Sequence, residues 1–282
     1  MPDALAELFA YRFMQMALAA CLLASVGCGL IGALVVVRRI GFVAGGIAHT
    51  VLAGIGVAVF LRGSPVMGAV IAALLSAVLI GWIKLRWRQD EDVLIAAFWS
   101  VGMAVGILFM SRTPGYGVDL MSYLFGNILL ITTDELVKMA LLDAAIVALL
   151  LAFHKQIIVS SFDEEFARLR GLHVEAIYIL MLCMVALTVV LLIQIVGIIL
   201  VIALLVLPAA GAAQFATSVA RLMALSVLFS MLVTVSGLML SYQPDLPSGS
   251  TIVVLAGVFY VFCVISRALW RRYRKRALAG SL

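Results

Sequence analysis

Charge is scarce in this chain: of 282 residues only 12% are Asp, Glu, Lys or Arg, while 66% are hydrophobic. Soluble globular domains carry roughly a quarter charged residues, so a water-soluble domain is excluded. The alternating ten-residue pattern of an outer-membrane barrel is missing too. The four cysteines, Cys21, Cys28, Cys183 and Cys263, all lie in apolar runs and form no CxxC pair. That excludes a disulfide framework or a zinc knuckle and leaves them as packing residues. The dipeptide Gly-Lys never occurs, so there is no GxxxxGK[ST] phosphate loop, and neither GxSxG nor HExxH appears. The chain therefore reads as no enzyme, and any ATP hydrolysis it depends on belongs to another subunit. Asp3 and Glu7 precede the first apolar run, where a secretory signal wants a basic start.

What the chain has is apolar runs near the roughly 20 residues a helix needs to cross hydrocarbon. Hydropathy predicts an all-α polytopic membrane protein, one permease-like domain over 1–282, with nine spans near 11–37, 41–61, 65–83, 93–110, 136–153, 175–196, 197–215, 219–241 and 251–270. A tenth apolar stretch, 120–131, is too short to cross and reads as re-entrant or interfacial. Orientation is set by lysine and arginine. The basic tail, 267–282, puts the C-terminus in the cytoplasm, and nine spans then put the N-terminus outside. This topology collects 15 of the 19 basic residues inside, Arg38, Arg39, Lys84, Arg86 and Arg88 among them.

Within the second span, "AGGIAHTVLAG", a lone His49 sits among Gly45, Gly46, Ala48, Thr50, Ala53 and Gly54. An ionisable group inside a span marks a functional site by default, and neutral imidazole ligates zinc and similar ions well. Hydrogen-bonded glue between helices accounts for it equally well. The small neighbours allow either close packing or room for a path. Asp143, in the fifth span, lines an outer vestibule, pairs with Lys138 or snorkels. Asp119, Asp134 and Glu135 fall in predicted outer loops as solvated charge. His154 and His173 fall at the cytoplasmic side, away from mid-membrane. Pro208 kinks or ends the seventh span, and Gln194 is polar at the junction before it.

One connection is long and charged, "SSFDEEFARLRGLHVEAI". Phe162, Phe166 and Leu169 recur at helical spacing, Ser161 or Asp163 can cap the start, Glu164 and Glu165 crowd the first turn, Arg168 and Arg170 the last, and Gly171 can close the end. These signals predict a short cytoplasmic helix over 161–174, either a surface-lying loop helix or a knob for a partner's groove.

Five segments in order resemble the permease subunits of ABC importers for zinc and manganese: "VVVRRIGFVAGGIAHTVLAGIG", "VDLMSYLFGNILLITTDEL", "FDEEFARLRGLHV", "VGIILVIALLVLPAAGA" and "DLPSGSTIVVLAGVFYV". The resemblance implies a type II importer-like fold working as a homodimer in a bacterial or archaeal cytoplasmic membrane. Two cytoplasmic ABC ATPase subunits and an extracytoplasmic metal-binding protein would be its partners, with no nucleic acid and no stably bound cofactor. It makes the charged stretch a coupling helix, with Phe162, Asp163, Glu164, Glu165, Phe166, Ala167, Arg168 and Gly171 facing the ATPase. It makes His49 a pathway ligand for a transported divalent metal, zinc ahead of manganese or iron, with Asp143 as a second candidate ligand. Gly45, Gly46, Gly54 and Pro208 become gating or packing positions. The family commonly has an aspartate where this chain has Gly45, so His49 needs other partners: a second copy of itself across the dimer axis, or Asp143. An ion-gradient transporter would want paired mid-span carboxylates, and a non-transporting scaffold would give the imidazole nothing to meet.

Overall fold

The computed structural model describes residues 11–87, 90–113, 123–126, 128–242, 244 and 246–279; Asp3, Glu7, Arg88 and Asp119 lie outside them, as does the side chain of Gln194. Regular structure among the described residues is helical, as hydrocarbon demands, because a helix satisfies its own backbone polar groups. The elements are α1 (Arg12–Arg38), α2 (Gly41–Phe60), α3 (Pro65–Trp87), α4 (Glu91–Ser111), α5 (Thr133–Phe162), α6 (Glu164–Leu169), α7 (Val174–Ala213), α8 (Val219–Tyr242) and α9 (Ser248–Ala279). Among the described residues, eight helices are long and apolar enough to cross a membrane, α7 contributing Val174–Ile193.

The ninth predicted crossing is the second limb of α7, the shorter apolar stretch Leu200–Ala213. Gly197, at φ 74 and ψ 170, interrupts α7. Leu191 and Leu204 would stand about 20 Å apart on a continuous helix. Yet Leu191 lies against Gly27 of α1, and the Leu204 carbonyl accepts from Cys28, the next residue of α1. The chain therefore folds back at Gly197, and its two limbs run in opposite directions beside α1. A side chain there is impossible: its Cβ would fall 2.3 Å from the Leu124 carbonyl. The described part of the short apolar stretch, residues 123–126 and the 3₁₀ turn Ile128–Leu130, sits over this reversal and does not span.

Several predicted ends move outward, α9 running on to Ala279 past the expected end near 270. Helix α5 runs 30 residues, well past the expected end near 153. A helix leaving the bilayer puts polar residues into water, and hydropathy reads that turn as loop. His154 is thus an exposed helical residue with Nδ1 3.0 Å from the Leu151 carbonyl. Ser161 and Phe162 accordingly belong to α5, and the short charged helix contracts from 161–174 to Glu164–Leu169.

Pro208 neither ends its limb nor breaks it, since helix continues to Ala213. Proline has no N–H for the carbonyl four residues back, which is Leu204. Cys28 Sγ donates to that carbonyl at 2.9 Å, so a thiol read as packing replaces the missing backbone donor. Close by, Ser25 Oγ and Thr234 Oγ1 are 3.0 Å apart, tying α1 to α8.

Helix α2 packs on α3, α4 and α7. Its glycines set the spacing: a Cβ on Gly54 would meet the Gly68 carbonyl of α3 at 2.1 Å, and one on Gly56 the Gly106 carbonyl of α4 at 2.5 Å. This is the small-residue packing that membrane helices use where apolar burial gives no drive.

Candidate functional site

His49 stands about two turns into α2 and is 5% exposed. Its ring stacks on Trp99 of α4, with centroids 3.8 Å apart and planes at 16°. Nδ1 has no hydrogen-bond partner among the described residues. A buried donor or acceptor left unmet costs about 1–3 kcal/mol, so the indole fixes the imidazole without satisfying it. The neighbouring glycines are filled in by other helices: a Cβ on Gly45 would strike Ile202 Cδ1 at 2.5 Å, and one on Gly46 would meet Ile95 at 3.1 Å. Thr50 turns its hydroxyl to the carbonyls of Gly46 and Phe98, at 2.8 and 3.0 Å. The small residues around His49 therefore serve close packing in this conformation.

Asp143 lies elsewhere. It is 5% exposed, on the face of α5 turned to α1, where Oδ1 would sit 2.7 Å from a Cβ on Gly27. That oxygen too has no hydrogen-bond partner among the described residues. Lys138 pairs with Asp134 one turn away, so of the three settings expected for Asp143 neither pairing with Lys138 nor snorkelling is seen, and the residue is buried against α1. No group of three or more His, Cys, Asp or Glu able to hold a metal occurs among the described residues. Within one chain, His49 and Asp143 occupy separate settings, the first between α2 and α4, the second between α5 and α1.

The end of the bundle away from Arg38 holds a cavity of about 430 Å³, lined by Ile55, Pro65, Ile131, Glu135, Lys138 and Ile193 among others. Its carboxylates are already engaged. Glu135 forms a capping box with Thr132, accepting from its N–H at 2.8 Å.

At the basic end the six residues of α6 terminate themselves at both ends. Asp163 Oδ1 accepts from the Phe166 N–H at 2.8 Å. Gly171, at φ 77, closes a Schellman turn in which its N–H reaches the Arg168 carbonyl and the Leu172 N–H reaches the Ala167 carbonyl, at 2.9 and 3.0 Å. Ala167 is fully buried and anchors the helix, while Leu169 is 87%, Phe162 67% and Phe166 44% exposed. Arg168 pairs with Glu175 at 3.5 Å. Phe162 at the end of α5, with Phe166 and Leu169 on the charged, self-capped α6, forms an exposed apolar contact surface.

Sequence reasoning did not find Trp99, the neighbour that orients His49, nor Arg38 as a partner of α6. Arg38 Nη1 pairs with Glu164 at 3.0 Å, across 126 residues of sequence. No local pattern carries either contact, because both join separate helices.

Comparison with known proteins gives one family. Residues 10–267 match the model described as "ABC 3 transport family". A probable metal transport system membrane protein of Chlamydia pneumoniae is 38% identical over 88% of this chain and 87% of its own length. The manganese transport system membrane protein MntC of Halalkalibacterium halodurans is 29% identical over 98% and 97%. The high-affinity zinc uptake system membrane protein ZnuB of Haemophilus influenzae is 25% identical over 84% and 91%. Among solved structures, PsaBC from Streptococcus pneumoniae, in complex with Fab, superposes with a TM-score of 0.85 at 30% identity, covering 93% of this chain and 94% of that one.

Proposed function

The chain belongs to the ABC 3 transport family, and from that premise we propose that it is the membrane permease subunit of an ATP-driven importer for a divalent transition metal, with zinc ahead of manganese. The observation that carries this is His49: an imidazole in mid-span, held by Trp99 and left with an unmet ring nitrogen. An apolar bundle gains no stability from such a group, whereas a passing cation supplies its missing partner. Zinc comes first because the donor on α2 is nitrogen, with no carboxylate one turn before it; manganese prefers oxygen. The relatives include one named for each metal, and direct competition between the ions decides the point.

In this reading two copies of the chain face each other and each contributes a His49 to the path. One imidazole leaves most of the ion's coordination to water or to other groups, which suits an ion that must also leave. Asp143 is a second polar station along the route. The sequence holds no phosphate-binding loop, so two separate ABC ATPase subunits hydrolyse ATP at the basic, cytoplasmic end. There the exposed Phe162, Phe166 and Leu169 of the α6 region enter the ATPase groove, with Asp163, Glu164, Glu165, Arg168 and Gly171 shaping and charging the knob. A metal-binding protein delivers the ion to the opposite face, and closure of the ATPases rocks the permease halves.

The test is uptake of zinc and manganese into proteoliposomes holding the whole complex. His49→Ala is expected to abolish uptake, by tenfold or more, with assembly and ATP binding intact. Normal accumulation in that variant removes His49 from the path.

A further inference from the structure

Helix α6 packs chiefly on the ends of the spans that flank it in sequence, α5 and α7. Neither of those carries His49. A contact that reaches beyond them is Arg38, the last residue of α1. Its side chain is only 13% exposed, and Nη1 donates to Glu164 Oε1 in the first turn of α6 at 3.0 Å. The same nitrogen donates to the Ser160 carbonyl at 3.1 Å, one of the open carbonyls at the C-terminal end of α5, where a cation is favoured. The guanidinium also lies 5.7 Å from the centre of the Tyr178 ring in α7. Lys84 of α3 donates to the Tyr178 hydroxyl at 3.2 Å.

The short link from Arg38 to α2 makes this junction consequential. Arg39 takes the left-handed conformation at φ 58, and its N–H and that of Ile40 close the end of α1 on the Val36 and Val35 carbonyls. Helix α2 starts at Gly41, and Ile40 is buried at 4% exposure. Two residues, one in a sparsely allowed conformation and one clamped in the core, leave little slack. A displacement of Arg38 therefore reaches the foot of α2, about 12 Å of helix below His49.

We infer that Arg38 is a positioning residue of the transport cycle: its ion pair with Glu164 passes motion of the coupling helix α6 to the α1–α2 corner, and so to the span that bears His49. The inference rests on the proposed permease function. Breaking the tie leaves ATP hydrolysis running without moving His49.

The experiment uses the complete complex, permease with its ATPase subunits and binding protein, in proteoliposomes, and reads metal uptake per ATP hydrolysed. Arg38→Ala is expected to lower that ratio at least tenfold while the subunits still copurify. Arg38→Lys, which keeps the charge within reach of Glu164, recovers most of it, as a merely structural defect would not. A wild-type ratio in Arg38→Ala overturns the inference. If that variant fails to assemble, Glu164→Gln, which keeps the shape and removes the charge, carries the same test, and a wild-type ratio there overturns it equally. Removal of residues 164–169 separates the two levels. If coupling survives the removal, the coupling role of α6 itself falls; if coupling is lost there but kept in Arg38→Ala, only the present inference falls.

Discussion

Gly45 decides how His49 can work. A carboxylate at that position would stand one turn from the imidazole and share a metal with it, yet Ile202 Cδ1 occupies the space at 2.5 Å from a Cβ there. Gly45→Asp alone is expected to destabilise the protein by about 1–3 kcal/mol, the usual cost of overpacking, and Ile202→Ala added to it should relieve part of that. The double variant gains an oxygen donor and should shift preference toward manganese, read as competition between the two ions for uptake. Asp143 presents the reverse case, a charge buried against Gly27 with an oxygen unmet. Asp143→Asn keeps its shape and removes the need to desolvate a carboxylate. A higher melting temperature in detergent together with reduced uptake is expected; unchanged uptake takes Asp143 out of the path. Both residues stood out in the sequence, because ionisable groups inside apolar runs are costly. Their surroundings did not, since Trp99 and Ile202 look like any other apolar span residues.

Among the elements, α7 holds the sharpest departure from pattern. Hydropathy divides its 40 residues into two crossings, and the chain does reverse at Gly197, though its second limb, Leu200–Ala213, is short of a span's length. Any side chain at Gly197 meets both a forbidden backbone conformation and the Leu124 carbonyl. Gly197→Ala should therefore lower stability by several kcal/mol, visible as a large drop in melting temperature. The second limb depends on a pairing that neither residue signals alone: Pro208 frees the Leu204 carbonyl and Cys28 fills it. Cys28→Ala is expected to cost about 1 kcal/mol. Adding Pro208→Ala, which returns a backbone donor to Leu204, should recover part of that loss in a double-mutant cycle, whereas Cys28→Ser should be close to neutral. Helix α6, by contrast, was legible in its caps, though not in its length. Its caps are local, and Asp163 and Gly171 act within a few residues of their own positions. The expected extent, 161–174, was too long at both ends, because Ser161 and Phe162 continue α5 and the helix closes at Gly171 before α7 begins at Val174.

For the whole molecule, the basic residues divide the bundle into two ends, and the proposed function fixes which faces the cytoplasm. Single cysteines report this directly. A membrane-impermeant maleimide should label Gly63→Cys in intact cells and Arg86→Cys only after lysis; the opposite result inverts the permease and moves α6 away from ATP.

Composition and pattern alone establish that this chain is a helical membrane bundle, roughly where most of its spans lie, which family it resembles and which few polar residues stand inside it. Those rest on local quantities: the hydropathy of 20-residue windows, the spacing of caps, the cost of an imidazole in hydrocarbon. The fold alone reveals that His49 leans on Trp99, that Asp143 faces α1, that Leu124 packs on Gly197 and that Arg38 holds Glu164. Each of these is a contact between helices distant in sequence, and between apolar surfaces the partner is chosen by shape, with small residues and single hydrogen bonds setting the fit. Such complementarity leaves no periodic trace in either stretch of sequence that takes part in it.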